Sequence, residues 1–205
     1  MKKEDYPRFT IIMRGYTKEQ ATEIVRAASD FGKHFAVEVT LNTPNALDII
    51  NDLNEKFGNL IAIGAGTVRT LAEAKAAVSK GAKFLLGPHT FSKDMIDYCH
   101  SKEVVTIPAA MTPSEINQML VAGADIIKIF PAAVVTPRFF KDVQAPLGKL
   151  PLMAVGGVST LNAQEYLDNG ASYLGMGSKM FDAEVLETLD QSGLKETYRK
   201  LIQLH

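Results

Sequence analysis

Three residues stand out for the chemistry they could do: Lys128, Glu38 and Arg14. Lys128 lies in the apolar run Asp125-Ile-Ile-Lys-Ile129, followed by Phe130. Glu38 lies in Phe35-Ala-Val-Glu-Val-Thr-Leu41, and Arg14 follows Phe9-Thr-Ile-Ile-Met13. Each run reads as a strand, in which alternate side chains share a face. Ile127 and Ile129 then take one face, and Lys128 shares the other with Ile126. Val37, Val39 and Leu41 oppose Ala36, Glu38 and Thr40. Arg14 shares a face with Thr10 and Ile12. A buried charge is costly unless it is paired or neutralised. One reading is therefore a structural Glu38–Lys128 ion pair. The other is catalytic. An amine among isoleucines titrates below a solvated lysine, and a partly neutral amine attacks a ketone to form a Schiff base. The protonated imine is an electron sink. Glu38 is then the candidate proton carrier, and Arg14 can grip a carboxylate through two hydrogen bonds.

Two glycine pairs add a second signal. They are Val155-Gly156-Gly157-Val158 and Gly175-Met176-Gly177-Ser178. Each follows or ends an apolar run, where exposed backbone N–H groups can receive phosphate. Glycine there also simply permits a tight turn. Two pairs on neighbouring strands favour a phosphate cradle. Gly64-Ala65-Gly66-Thr67, read as following a third strand, allows backbone to approach a ligand closely. It lacks the spacing of a dinucleotide loop. The histidines, His34, His89, His100 and His205, form no metal-ligand motif with each other or with Cys99. No metal and no cofactor is expected. His89 reads as a solvated loop residue and Cys99 as a structural one.

These residues need a frame. Eight short β-rich runs, each with an amphipathic stretch after it, span the chain. The strands are expected at Phe9–Met13, Phe35–Leu41, Leu60–Ile63, Lys83–Leu86, Val104–Ile107, Asp125–Ile129, Leu152–Val155 and Ser172–Gly175. The helices are expected at Lys18–Phe31, Ala46–Phe57, Leu71–Ser79, Ser92–His100, Pro113–Val121, from near Pro137, Leu161–Leu167 and Ala183–Leu201. Helix-start residues occupy the strand-to-helix joints: Thr17, Thr43-Pro44, Thr70, Ser92, Thr112-Pro113 and Ser159-Thr160. Alternating units imply parallel strands, and eight of them imply an α/β fold of one (β/α)8 TIM barrel over residues 1–205. In such a barrel, chemistry gathers at the C-terminal ends of the strands.

Composition narrows the class. The chain has 205 residues, 46% of them hydrophobic, and a net charge of −1. Lys+Arg (22) and Asp+Glu (23) nearly cancel, so no nucleic-acid footprint is expected. The single cysteine cannot form an internal disulfide. No apolar run approaches the roughly 18 residues of a membrane helix. Met1–Arg8 does not read as a secretory signal. A cytoplasmic protein with no membrane partner is expected.

Across nearly its whole length the sequence resembles the 2-keto-3-deoxy-6-phosphogluconate (KDPG) aldolases. The likeness runs through Ile11-Ile-Met-Arg-Gly15, Val37-Glu-Val-Thr-Leu-Asn42, Gly64-Ala-Gly-Thr-Val68, Ile127-Lys-Ile-Phe-Pro131 and Val155-Gly-Gly157. The resemblance implies a Schiff-base aldolase on a (β/α)8 barrel, a homotrimer, acting on a phosphorylated keto acid. It implies Lys128 as the Schiff-base lysine and Glu38 as the general acid/base. It implies Arg14 and Thr67 at the pyruvate end, with Gly66, Asn42, Pro88, Val155 and Phe130 as further substrate contacts. Gly156, Gly157, Gly177 and Ser178 would receive phosphate. Asn42 stands where many of these aldolases carry a basic residue, and Val155 where many carry threonine. Both look like the branch acting on the C4 epimer, 2-keto-3-deoxy-6-phosphogalactonate. Pro108-Ala109 and Gly87-Pro-His89 also depart from the usual pattern. The alternatives are a 4-hydroxy-2-oxoglutarate aldolase, a non-aldolase phosphate-binding isomerase or synthase, and a barrel retired from catalysis.

Overall fold

A computed structural model describes residues 1–204. Strands and helices alternate: β1 (Phe9–Met13), α1 (Lys18–Ser29), β2 (Phe35–Thr40), α2 (Ala46–Phe57), β3 (Ala62–Gly66), α3 (Leu71–Ser79), β4 (Phe84–Leu86), α4 (Lys93–Ser101), β5 (Val105–Ile107), β6 (Ala109–Ala110), α5 (Pro113–Ala122), β7 (Ile127–Ile129), α6 (Ala132–Val135), α7 (Arg138–Leu147), β8 (Leu152–Val155), α8 (Ala163–Asp168), β9 (Tyr173–Met176), α9 (Ala183–Thr188) and α10 (Gln191–Ile202). All strand pairs are parallel, in the order β5-β4-β3-β2-β1-β9-β8-β7-β6. The two ends of that sheet, β5 and β6, are separated in sequence only by Pro108. The sheet therefore curls until its edges meet, giving a nearly closed, TIM-barrel-like frame.

Strand alternation sorts the core into two layers. Ile11, Val37, Val39, Ile63, Ile127, Ile129 and Leu174 point outward and pack with the helices. Ile12, Ala36, Phe84, Ile107, Ile126, Met153 and Val155 fill the barrel. Tyr6 closes the N-terminal end. Its ring meets Phe84 and Tyr173 edge-on, at 5.1 and 5.7 Å, and its hydroxyl lies 2.7 Å from Thr10 Oγ1. Helix starts follow from capping chemistry. Thr17 with Gln20, Thr70 with Glu73 and Thr112 with Glu115 each form a reciprocal capping box, and Ser92 caps α4.

Several expected boundaries move. The third strand was expected at Leu60–Ile63, but β3 runs Ala62–Gly66, so Gly64-Ala65-Gly66 lies within the sheet. A side chain at position 64 would strike the Phe84 ring and backbone oxygen, so only glycine fits this inward position. Thr43-Pro44 does not cap α2. Asn45, in the left-handed region at φ 57°, precedes that helix, while Thr43 turns inward. Asn162, not Ser159 or Thr160, precedes α8, and its Oδ1 accepts from Ser159 N at 2.8 Å. The last helical region breaks at Leu189 (φ 54°), and Asp190 caps the new helix. α6 was not expected. The eight expected strands appear as nine segments, because Pro108 has no N–H to donate and interrupts the ladder between Ile107 and Ala109.

Candidate active site

The outward isoleucines of β7 anchor it in the helix layer and turn Lys128 into the barrel, 5% exposed. Ala109 on one side and Met153 on the other are its strand neighbours. Its Nζ lies over the Phe130 ring, 4.7 Å from the centroid. Burial lowers the Lys128 pKa. The Glu38 charge opposes that shift and the Arg14 charge adds to it.

Glu38 on β2 is 1% exposed, between Ile12 of β1 and Gly64 of β3. Burial raises its pKa, against the pull of the Lys128 and Arg14 charges. Its Oε2 has no hydrogen-bond partner. The Glu38–Lys128 pair is not within ion-pair distance among the described residues. The structural ion pair that the local pattern allowed is therefore not formed. An amine held toward neutrality and a carboxyl held toward protonation face one another across the barrel.

Arg14 follows β1 at the rim and is exposed, without an ion-pair partner among the described residues. The next residue, Gly15, has φ 74°, and its N–H donates to Thr43 Oγ1 at 2.9 Å. Thr43 Oγ1 lies 3.0 Å from Thr40 Oγ1. This buried threonine pair ties the Arg14 turn to β2. Thr67, just past β3, has φ 57°, an uncommon conformation for a β-branched residue.

A cavity of about 200 Å³ opens at the ends of β1, β8 and β9. Arg14, Phe130, Val155, Gly156, Gly157, Gly177 and Ser178 line it, so seven of the expected residues converge there. Gly156 and Gly157 have φ 94° and 82°. A Cβ at Gly157 would lie 2.5 Å from Ala133 Cβ of α6. Conformation and close approach both require glycine. Lys128 and Glu38 are not part of the lining; Lys128 meets it through Phe130. Gly66, Thr67, Asn42 and Pro88 stand at the ends of β2, β3 and β4 and do not line this cavity. Asn42 is exposed, and Thr67 and Pro88 are half-buried.

Lys179 and Thr43 join the site without a catalytic or binding motif in the sequence to mark them. Lys179 is exposed and joins the cavity wall beside Ser178. Its signal was a basic residue directly after the second glycine pair. Thr43 precedes Pro44, so its local pattern is that of a helix cap. No group of three metal-ligating side chains occurs among the described residues. His89 Nδ1 lies 2.7 Å from Thr90 O, and His100 Nε2 lies 3.0 Å from Asp125 Oδ2. His205 lies outside the described residues. Cys99 is buried in α4, and its thiol is pushed up to about 12, by burial first and by Asp125 second.

The family model for "KDPG and KHG aldolase" matches residues 8–196. The chain belongs to this aldolase family. It is 33% identical to a probable 2-dehydro-3-deoxy-6-phosphogalactonate aldolase of Rhizobium meliloti, over 83% of this chain and 80% of that one. It is 31% identical to the 2-dehydro-3-deoxy-6-phosphogalactonate aldolase of Escherichia coli, over 94% of this chain and 95% of that one. A crystal structure of KDPG aldolase from Legionella pneumophila, holding pyruvate as a covalent carbinolamine, superposes with a TM-score of 0.81. That protein is 26% identical, over 95% of this chain and 94% of its own. Like the family it belongs to, this aldolase is a lyase.

Proposed function

We infer that this aldolase works through a Schiff base on Lys128 and cleaves a 2-keto-3-deoxy-6-phospho sugar acid to pyruvate and glyceraldehyde 3-phosphate. The observation that supports it is the buried Lys128–Glu38 couple, unpaired, beside a cavity that holds Arg14 and both glycine pairs. The Lys128 nitrogen attacks the C2 ketone and water leaves, giving a protonated imine. Glu38 takes the proton of the C4 hydroxyl. The C3–C4 bond breaks, and its electrons enter the imine to give an enamine. The aldehyde leaves, C3 takes a proton, and water releases pyruvate. Arg14 and Thr67 hold the pyruvate carboxylate. The N–H groups of Gly156, Gly157 and Gly177, with Ser178, receive the phosphate. Gly66, Asn42, Pro88, Val155 and Phe130 complete the contacts.

The galactonate epimer is the favoured substrate in this reading. Val155 presents an apolar wall where a threonine would offer a hydrogen bond, and two relatives carry that epimer's name. The frame is read as one (β/α)8 domain over residues 1–205, with β5 and β6 as one strand broken at Pro108. We further assign it as a cytoplasmic homotrimer. No helix among the described residues is long and apolar enough to cross a membrane.

Borohydride added with pyruvate tests the chemistry. The expected product is a covalent increment on Lys128, and its absence in folded protein would refute the reading. A phosphate-binding isomerase would give no adduct. Pyruvate release from both phosphorylated epimers and from 4-hydroxy-2-oxoglutarate, read on the same preparation, ranks the substrates. Preference for the gluconate would reverse the assignment of Val155.

A further inference from the structure

Resting on the reading of Glu38 as the acid/base, we propose that Gly66 is a positioning residue: its missing side chain is the seat of the Glu38 carboxyl. Glu38 pairs in register with Gly64, but its carboxyl leans one pair further, toward Gly66 and the C-terminal rim. A Cβ built on Gly66 would lie 1.4 Å from Glu38 Oε1, 2.2 Å from its Cδ and 2.6 Å from its Cγ. The three nearest atoms all belong to this one side chain. The space that glycine leaves on the inner face of β3 is thus filled by the carboxyl.

Gly64, two residues earlier, has a different occupant. A Cβ there would lie 2.4 Å from the Phe84 backbone oxygen and 2.6 Å from its ring. Phe84 belongs to the barrel's inner packing. The two glycines divide the inner face of β3 between a structural aromatic and a functional acid. Gly66 is in extended strand, so no special backbone angle explains it. With the carboxyl seated, Oε1 lies against Gly66 of β3, and Oε2 is buried without a hydrogen-bond partner. The charged and titratable groups that act on the carboxyl here are Lys128, Arg14 and Tyr6.

The test is a double-mutant comparison. Gly66→Ala is expected to lower kcat about 10²-fold, the scale of a small misplacement of a catalytic group. Gly66 is also read as a substrate contact beside Thr67, so KM does not decide the test; kcat and its pH profile do. The limb of the kcat–pH profile that follows Glu38 should move toward that of an ordinary carboxyl, because the group leaves its buried seat. Glu38→Asp retracts the carboxyl by one methylene and empties the seat. In that background Gly66→Ala should cost no more than about twofold, a non-additivity expected of residues in contact. Equal fold losses in both backgrounds, or an unmoved pH limb, would overturn the proposal. Gly64→Ala is the control for a strand damaged by backbone collision, and it should lower the melting temperature more than Gly66→Ala does. Should Gly66→Ala fail to fold, recovery of folding in Gly66→Ala/Glu38→Asp supports the seat, and continued unfolding overturns it. Borohydride trapping of pyruvate separates the two readings. A missing adduct in the wild type sinks the Schiff base, whereas an intact adduct with additive losses sinks only the seat.

Discussion

Lys128 is held in an environment that opposes its own charge. Burial lowers its pKa, and the one nearby acid, Glu38, is itself buried and raised by burial. Each group therefore costs stability in its charged form; for Lys128 the neutral form is also the nucleophile, whereas Glu38 accepts a proton only as the carboxylate. The sign for folding follows. A lysine whose folded pKa is lowered contributes stability present above the unfolded pKa and lost as pH falls through the folded one. Below that window the buried ammonium is a net burden. Lys128→Met keeps the shape and removes the charge, so at neutral pH it should abolish turnover and yet melt no lower than the wild type. Thermal melts across pH check this, and the gap should close as pH rises toward the usual lysine range. A lower melting temperature for the variant at neutral pH would mean that Lys128 is a structural partner of Glu38 after all. The inward placement of both residues was legible from strand parity, because apolar neighbours at i±1 force a polar residue to the other face. Their failure to pair was not legible, because parity fixes a face and not a distance.

Elements set the precision of the site. The loop after β1 carries Arg14, and its geometry depends on one hydroxyl from another element. Gly15 N–H donates to Thr43 Oγ1, which is itself braced by Thr40 at the end of β2. Thr43 is 4% exposed, so water does not readily replace it. Thr43→Val preserves the shape and removes the acceptor. Leaving a partly buried N–H unmet costs about 1–3 kcal/mol. The expected consequence is a looser Arg14 turn, read as a KM for pyruvate-bearing substrates several-fold higher with kcat nearly unchanged. Thr43→Ser should restore KM. A fall in kcat at constant KM would place Thr43 in the chemistry instead. The sequence offered Thr43-Pro44 as a helix start because threonine before proline is a common cap. Tertiary demand for an acceptor overrode that local preference. A similar override places Gly64-Ala65-Gly66 inside β3, where glycine usually weakens a strand. Its cost is offset by what the two inner spaces hold.

At the scale of the whole barrel, stability and chemistry sit at opposite ends. The rim at the C-terminal ends of the strands holds an exposed arginine, a strained threonine and glycines with positive φ. The other end is closed by well-satisfied groups. Thr106 N and Oγ1 each donate to Asp125 Oδ2 at 2.8 Å, and His100 Nε2 lies 3.0 Å from the same oxygen. Asp125 is three residues before Lys128 in sequence, yet it belongs to the opposite end of the same barrel stave. This separation is the expected division in a barrel whose loops carry function. The alternation of βα units made the barrel legible in the sequence, but nothing in local pattern showed that Asp125 reaches across to β5. Asp125→Ala leaves the buried Thr106 N–H without its acceptor and should destabilise the fold by about 1–3 kcal/mol. Denaturant titration measures that loss. Assayed well below the melting transition, kcat/KM should stay within about twofold of the wild type, as for sites too far apart to couple. A large loss of turnover in a variant that is still folded would show that β7 transmits strain along its length to Lys128, and that the two ends are not independent.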